Sequence, residues 1–361
     1  MTPATQPPKI LLTDTPNPPD PLLSLLHSHL PYSLPVLRRL QFARNFPGGA
    51  TPHTHVLHAR YSIASSPSSS PSARNSQPQS ESQIAQDQDE QAFAAAYVDL
   101  SRAPETQCWV YSMLEDGSHV GHGGGGGGDC SNCLEGEKER CREEEAEAAA
   151  IDLVLVVLRR VRAIAIAGAD SKIVLVGSLH EGVRQGLLAR GVVMHKTPNV
   201  PVECDWEFCD KWLFRAEELP LLAHGELPLP GMRWDQVRKE DVGLVLSRTS
   251  IARQEATLLM LPSISVRLAD GTPVAWGFMG LDGSLVTLHV EEPYRQLGLA
   301  KAVACKLMRE NLEDYGDDGW GAADVFVLNH KSQALCKSIG GKLGWTISWA
   351  MLDLYSVGGP M

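Results

Sequence analysis

Residues 288–301 read LHVEEPYRQLGLAK, and this stretch decides the fold prediction. Its pattern is typical of a strand end, a tight loop and the start of a helix. Backbone N–H groups in the first turn of a helix have no partner inside the helix, and the helix dipole favours negative charge there. Gly298 permits close approach of a ligand, and the small side chain of Ala300 leaves room beside it. The stretch therefore predicts a binding site for a pyrophosphate.

The sequence around this loop predicts a regular succession of helices and strands. Two short helices, 239–247 and 251–261, precede three strands at 263–269, 273–280 and 284–290. The Asp-Gly pairs at 270–271 and 282–283 are typical of tight turns in an antiparallel meander. After the loop we expect a helix over 298–315, a strand over 323–328, a helix over 330–338 and a last strand over 346–354. The carboxyl-terminal region is therefore predicted to be an α/β domain.

The first half of the chain also predicts an α/β fold. Strands are expected at 95–100 and 108–114 and at 172–177, and helices at 143–163 and 181–190. The proline-rich stretch 218–231 marks a domain boundary. We therefore divide the chain into an amino-terminal α/β domain, 1–228, and a carboxyl-terminal domain, 229–361.

Two segments depart from this globular composition. The segment near 62–92 has almost no large apolar side chain, and the segment 116–142 combines six consecutive glycines with a mixed-charge run. Neither can offset the entropy of ordering by apolar burial, so both are expected to be disordered insertions.

Composition excludes several classes of function. The chain has 361 residues and a formal net charge of -11, with 32 Lys and Arg against 43 Asp and Glu, which disfavours nucleic acid and anionic membranes as partners. No secretory signal precedes the first domain, and charged residues interrupt the apolar stretch 148–169, so we expect a cytoplasmic protein without a membrane span. The oligomeric state is not predicted.

A zinc site is the main competing interpretation. Cys130, Cys133 and Cys141, with His119 and His122 upstream, have the residue types of a tetrahedral site. The glycine run between the histidines and the cysteines offers no support for such ligands, so a disordered insertion is preferred and no metal is implied.

The whole succession resembles the GNAT superfamily of acyl-CoA-dependent acyltransferases. Arg295, Gly298 and Ala300 match its Q/R-x-x-G-x-G/A motif after the fourth strand, and Asn329 follows the next strand where the superfamily often has asparagine. Residues 325–345, with Gly340, Gly341 and Trp345, are similar to the branch that contains the glycine N-acyltransferases. The resemblance covers about residues 235–357 and implies a mixed central sheet with helices on both faces, preceded by a smaller or degenerate domain of related topology.

The resemblance implies how the co-substrate, acetyl-CoA or another acyl-CoA, is held. The backbone near Leu288 and Val290 would pair with the pantetheine arm, and the loop would hold the pyrophosphate. The loop residues in question are Arg295, Gln296, Leu297, Gly298, Leu299, Ala300 and Lys301. A primary amine would attack the thioester directly, without a covalent enzyme intermediate.

The chain departs from the family at two positions of the chemistry. Ser284 stands where many members have a glutamate base, and Cys336 stands where a tyrosine often protonates the leaving thiolate. Asp282, His289 and Glu291 are the available bases, and His289 has the most suitable ordinary pKa, although a strand histidine is more often a core residue. Cys336 is likewise more often a buried thiol than an acid.

The sequence thus predicts an acyl-CoA-dependent N-acyltransferase that transfers an acetyl or short acyl group to a primary amine of a small molecule, such as an amino acid. Two alternatives remain open: a catalytically silent acyl-CoA-binding or scaffolding protein, and a protein-amine acetyltransferase. Trp276, Trp345 and Trp349 are candidates for lining an acceptor pocket, with core packing as their default role.

Overall fold

The computed structural model describes residues 9–62, 92–116, 133–168, 172–198, 208–221 and 227–358, with only the backbone for 133–142. Most of the two expected insertions, together with His119, His122 and Cys130, lies outside the described residues. The elements of the first half are β1 (Ile10–Thr15), α1 (Asp20–Ser28), α2 (Leu34–Asn45), β2 (His55–Tyr61), β3 (Phe93–Val98), β4 (Cys108–Ser112), α3 (Cys133–Gly168), β5 (Ile173–His180), α4 (Glu181–Ala189), β6 (Met194–Lys196) and β7 (Phe208–Arg215).

The second half begins with β8 (Arg233–Asp235). It continues with α5 (Val242–Ser247), α6 (Glu255–Met260), β9 (Ser263–Arg267), β10 (Pro273–Met279), β11 (Leu285–Val290), α7 (Leu299–Tyr315), β12 (Trp320–Phe326), α8 (His330–Ser338) and β13 (Lys342–Asp353). The predicted helix 330–338 matches α8, and the predicted meander matches β9 to β11 within two residues.

Helix α3 corrects one prediction. It begins at Cys133, ten residues before the expected start at Glu143, so residues 133–142, predicted to be disordered, are helical. The physical reason is that the mixed-charge run 135–142 consists largely of Glu, Lys and Arg, which are good helix formers. Side chains from Ala150 onward pack α3 against strands β2 to β4 and hold the first half together.

The two halves repeat one order of elements. A strand, two helices, three strands, a helix, a strand and a helix run from β1 to α4, and the same order runs from β8 to α8. This agrees with the expectation of an amino-terminal domain with related topology. The position of the boundary at residue 228 stays a prediction.

The strands form two sheets, and the larger sheet crosses the sequence midpoint. Its order is β1-β2-β3-β4-β5-β13-β7-β12, with β6 also paired to β13, while β11-β10-β9-β8 form the smaller sheet. Strand β13 joins the halves, since Ile347 pairs with His180 on one side and with Cys209 on the other. Each half thus contributes a strand to the other half's part of the sheet.

One apolar core extends across both halves. It includes Phe42 and Trp109 from the first half and Trp276 and Tyr315 from the second. Arg38 on α2 is buried and binds the Asp318 carboxylate before β12, which fixes α2 against the second half. Because packing and ion pairing cross the boundary, the halves hold one another in a defined arrangement.

The structure describes no helix of the length and apolar character needed to cross a bilayer. Within the described ranges, no three His, Cys, Asp or Glu side chains are placed to hold a metal ion.

Candidate active site

The candidate site lies where the two sheets separate. Strands β11 and β12 belong to different sheets, and they are joined by a single parallel bridge from Ser284 to Ala322. No other pairing joins these two described strands, so β11 is an edge strand on that side, and we call the space between β11 and β12 the cleft. An extended ligand can pair with such an open edge.

A β-bulge shapes the cleft wall. On β10, Trp276 pairs with His289 and Phe278 pairs with Val286, so two residues of β11 oppose one residue of β10. Thr287 adopts φ 54°, a left-handed conformation that is uncommon for a β-branched residue. A bulge leaves the extra residue unpaired and changes the direction of the strand. A strained backbone conformation such as that of Thr287 is often found at functional sites.

The predicted pyrophosphate loop has the geometry that anion binding needs. Arg295 through Gly298 are exposed, while Leu299 is buried at the start of the 17-residue helix α7. Gln296 and Gly298 have φ angles of 64° and 79°, which turn the chain sharply from strand to helix. A Cβ built on Gly298 meets no heavy atom within 4 Å, so the space in front of the helix is open. The N-terminal amides of α7 are therefore accessible to a phosphate.

Three other members of the predicted cofactor set make hydrogen bonds in the loop or in the two helices beside it. The Arg295 guanidinium donates from Nε to the Val290 carbonyl over 3.1 Å, and Lys301 Nζ donates to the Ser338 carbonyl over 2.8 Å. Asn329 begins α8, where its side-chain oxygen accepts a hydrogen bond from the Ser332 amide over 3.1 Å. Gln296 and Ala300 lie on either side of Gly298 at the open helix terminus.

Ser284 is placed at the inner end of the cleft, in contact with a carboxylate. Its hydroxyl donates to Asp282 Oδ1 over 2.5 Å, and Trp109 Nε1 lies 3.4 Å from Asp282 Oδ2. All three residues are buried. A serine cannot be a strong base, but this pairing gives it a proton acceptor.

His289 lies toward the other end of β11. It lies five positions after Ser284, about 16 Å at the usual rise of a strand. Its ring stacks on Trp276 with centroids 4.8 Å apart, and Nε2 lies 3.8 Å from Glu291 Oε1. Burial lowers the pKa of His289, and the Glu291 carboxylate partly opposes that shift. The structure does not bring His289 together with Ser284.

Cys336 is buried on α8, and burial raises the pKa of its thiol to about 12. The thiol is therefore protonated at neutral pH. Cys336 does not line the cavity that adjoins Ser284.

A small cavity with three charged lining residues adjoins Ser284 at the point where the halves meet. Its volume is about 30 Å³. The lining residues come from the segment before and within β4 (Glu105, Thr106, Trp109), from the α5–α6 region (Arg253, Thr257, Leu261), from the β10–β11 region (Gly280, Leu281, Asp282, Ser284, Val286) and from β13 (Trp349). Of the three tryptophans proposed for a pocket, only Trp349 lines this one.

Glu105 is the main residue that sequence reasoning missed. Its two carboxylate oxygens accept hydrogen bonds from the Gln254 amide over 2.9 Å and from the Thr257 hydroxyl over 2.5 Å. The sequence places Glu105 in a turn between strands and gives no signal of this role, because both partners come from the other half of the chain.

Comparison with solved structures supports the fold. A Drosophila protein, a target of the Northeast Structural Genomics Consortium, has a TM-score of 0.51 at 15% identity, covering 92% of this chain and 95% of that one. A tandem GNAT protein from the clavulanic acid biosynthesis pathway has a TM-score of 0.41 at 10% identity, covering 98% and 100%. A GCN5-related N-acetyltransferase from Kribbella flavida has a TM-score of 0.39 at 12% identity, covering 55% and 75%. Only the first score is high enough to support a shared fold.

Comparison with curated protein sequences gives no significant match. Comparison with family models does give one: residues 8–203 match the acyl-CoA N-acyltransferase verG N-terminal domain. This match covers more than half of the chain, and it lies outside residues 235–357, which carry the resemblance seen in the sequence. The chain therefore belongs to the acyl-CoA N-acyltransferase (GNAT) family, with a verG-type N-terminal domain.

Proposed function

We propose that this acyltransferase uses the cleft between β11 and β12 to transfer an acetyl or other short acyl group from CoA to a primary amine of a small molecule such as an amino acid. One observation carries the proposal: the cleft has an open helix N-terminus at one end and, at the other, the small cavity lined in part by Glu105, Arg253 and Asp282. The first suits the pyrophosphate, and the second suits the acceptor.

Binding of CoA would use the loop and the open strand edge. The amides of residues 295–301 would hold the pyrophosphate, and the backbone of Leu288 and Val290 would pair with the pantetheine arm. The thioester would then lie toward Ser284, because the cleft narrows there to the bridge with Ala322.

The reaction moves one proton from the amine nitrogen to the thiolate sulfur of CoA. The amine nitrogen forms a bond to the thioester carbonyl carbon, the C–S bond breaks, and the amine loses a proton while the thiolate gains one. We assign the acceptance of that proton to Asp282 through the Ser284 hydroxyl, since the two are 2.5 Å apart. The same proton returns to the CoA thiolate, so the reaction is balanced without a metal or redox group.

Size favours a small acceptor over a protein amine. The cavity is buried between the two halves, and its volume allows only about two water-sized groups. The similarity of residues 325–345 to the glycine N-acyltransferase branch supports the same choice. Its acceptors would be small amines that enter from the side of the α5–α6 connection.

The first experiment is a calorimetric titration of the full chain with acetyl-CoA and CoA. Thiol-release assays against pooled amino acids, polyamines and a basic peptide follow. Binding and turnover with amino acids or polyamines are the expected result. Binding without turnover would favour the silent acyl-CoA-binding module, turnover with the peptide alone would favour the protein acetyltransferase, and no CoA binding would refute the assigned cleft.

A further inference from the structure

Arg253 is a cation that lacks a partner inside the cavity. It lies between α5 and α6, its side chain lines the cavity, and its Nε atom is buried without a hydrogen bond. Burial lowers the pKa of its guanidinium, while Glu105 and Asp282 partly oppose that shift. A guanidinium placed in this way is costly unless it receives an anion.

The nearby carboxylates do not supply that anion directly. Glu105 accepts from the Gln254 amide and the Thr257 hydroxyl, and Asp282 accepts from Ser284 and Trp109. Among the residues the structure describes, no ion pair within 4 Å includes Arg253. The carboxylates attract the guanidinium at longer range, and its hydrogen-bond donors stay available to a ligand.

We propose that Arg253 binds the carboxylate of the acceptor, so that the substrates are small molecules with a carboxylate close to the reacting amine. This inference rests on the proposed function and names its acceptor class. A guanidinium binds a carboxylate through two parallel hydrogen bonds. Binding in this geometry would hold the acceptor in the site and would also orient the amine next to its carboxylate.

The charges around the cavity suit an acceptor with no net charge. The charged residues that line the cavity are Glu105, Asp282 and Arg253, with a formal sum of -1. A zwitterion leaves that sum unchanged, because its ammonium offsets its carboxylate. Its carboxylate would meet Arg253 and its amine would lie toward Ser284 and Asp282. The ammonium would first release one proton to solvent, and the neutral amine would give the second to Asp282 as it attacks.

The cavity is also large enough for this group and little more. Its volume of about 30 Å³ corresponds to roughly two water molecules, which is close to the size of a carboxylate. A long apolar group at this position would need the surrounding walls to move.

The test compares amino acids with their α-carboxamides, which keep the amine and remove the negative charge. The full-length wild type should show kcat/KM values for acids at least about 30-fold above those for amides. Arg253→Gln should reduce that preference to within about threefold by raising the acceptor KM, with the KM for acetyl-CoA unchanged. Arg253→Lys should keep part of the preference. Arg190→Gln is the control, because Arg190 is a surface arginine paired with Asp152.

A calorimetric titration with the same acids and amides, without CoA, gives a readout that does not depend on turnover. Acids should bind the wild type more tightly than amides, and Arg253→Gln should remove the difference. Equal use of acids and amides by the wild type, or an equal loss of both in Arg253→Gln, would overturn the inference and leave the transferase proposal intact. Selective acid binding without transfer would support the inference and reject the transferase proposal.

Discussion

Lys211 Nζ lies 2.5 Å from Asp324 Oδ1 in the interior of the large sheet, and the two residues are direct partners on adjacent strands. Burial raises the pKa of Asp324, and Lys211 opposes that shift. Lys211 belongs to β7 and Asp324 to β12, so this ion pair ties the two halves of the sequence together. A buried charge that loses its partner destabilises a fold far more than a surface charge does.

Breaking this pair should therefore lower the free energy of unfolding strongly. Lys211→Met and Asp324→Leu should each cost about 3–5 kcal/mol, measured by urea unfolding, and the double variant should recover most of the loss. The exposed pair Lys306 and Glu310 is the control, with an expected coupling of about 0.5 kcal/mol or less. A double variant as unstable as the sum of the single variants would contradict the pairing.

Placing a carboxylate in the loop should abolish CoA binding. Gly298→Glu puts a negative charge in front of the α7 amides, and we expect a loss of about 100-fold or more in CoA affinity by calorimetry. Gly191→Glu is a matched control, since both glycines have φ 79° and no heavy atom within 4 Å of a built Cβ. The two variants should show similar losses of thermal stability, and only the first should lose CoA. Unchanged affinity in Gly298→Glu would refute the site.

Removing the assigned proton acceptor should lower kcat. Asp282→Asn keeps the shape of the side chain and removes its charge, so kcat should fall about 100-fold or more while the KM for acetyl-CoA stays the same. Ser284→Ala should lower kcat by a smaller factor, because water can replace its hydroxyl.

His289→Gln serves as the comparison for this assignment. His289 lies outside the cavity lining and stacks on Trp276, so its replacement should change kcat less than about threefold. A large loss of kcat in His289→Gln, with Asp282→Asn active, would transfer the role of base to the histidine.

His180, which is buried, and His58, which is largely buried, should make the fold sensitive to acid. Burial lowers the pKa of His58 to about 4, with a smaller contribution from Arg60, and burial lowers that of His180 to about 4. Protons therefore bind the unfolded chain first as the pH falls below 6.5, and stability is lost between pH 6.5 and 4. The loss should reach on the order of 3 kcal/mol for each histidine.

The measurement is urea unfolding at several pH values. His58→Leu should lose less stability than the wild type over this range, and His53→Leu should not, because His53 is exposed in the loop before β2. Parallel curves for the wild type and His58→Leu would contradict the assignment.

Local patterns in the sequence predicted the second half well. The meander has Asp-Gly turns, and α8 and the phosphate loop depend on residues that are neighbours in the chain. Strand β7 and helix α2 could not be predicted in this way. Lys211 interrupts the apolar pattern of β7, and Arg38 interrupts that of α2. Each charge is tolerated because a carboxylate more than a hundred positions away neutralises it, Asp324 for Lys211 and Asp318 for Arg38.

In the candidate site, too, local features could be predicted and contacts between distant residues could not. The phosphate loop is contiguous, so its residues could be named from the sequence. The cavity combines Glu105 with Arg253 and Asp282, and only the packing of the two halves brings them together. A single sequence gives no signal for such a contact.

The position of β13 in the sheet has a consequence for biosynthesis. Every other strand leaves the ribosome before β13, yet β5 and β7 both need it as a neighbour. During translation, β5 and β7 therefore each have an unpaired edge until β13 is made, and an unpaired strand edge can pair with other chains and cause aggregation. Chaperones should therefore stay bound to the chain until β13 can pair, and co-purification of chaperones with chains truncated before residue 342 would detect this binding.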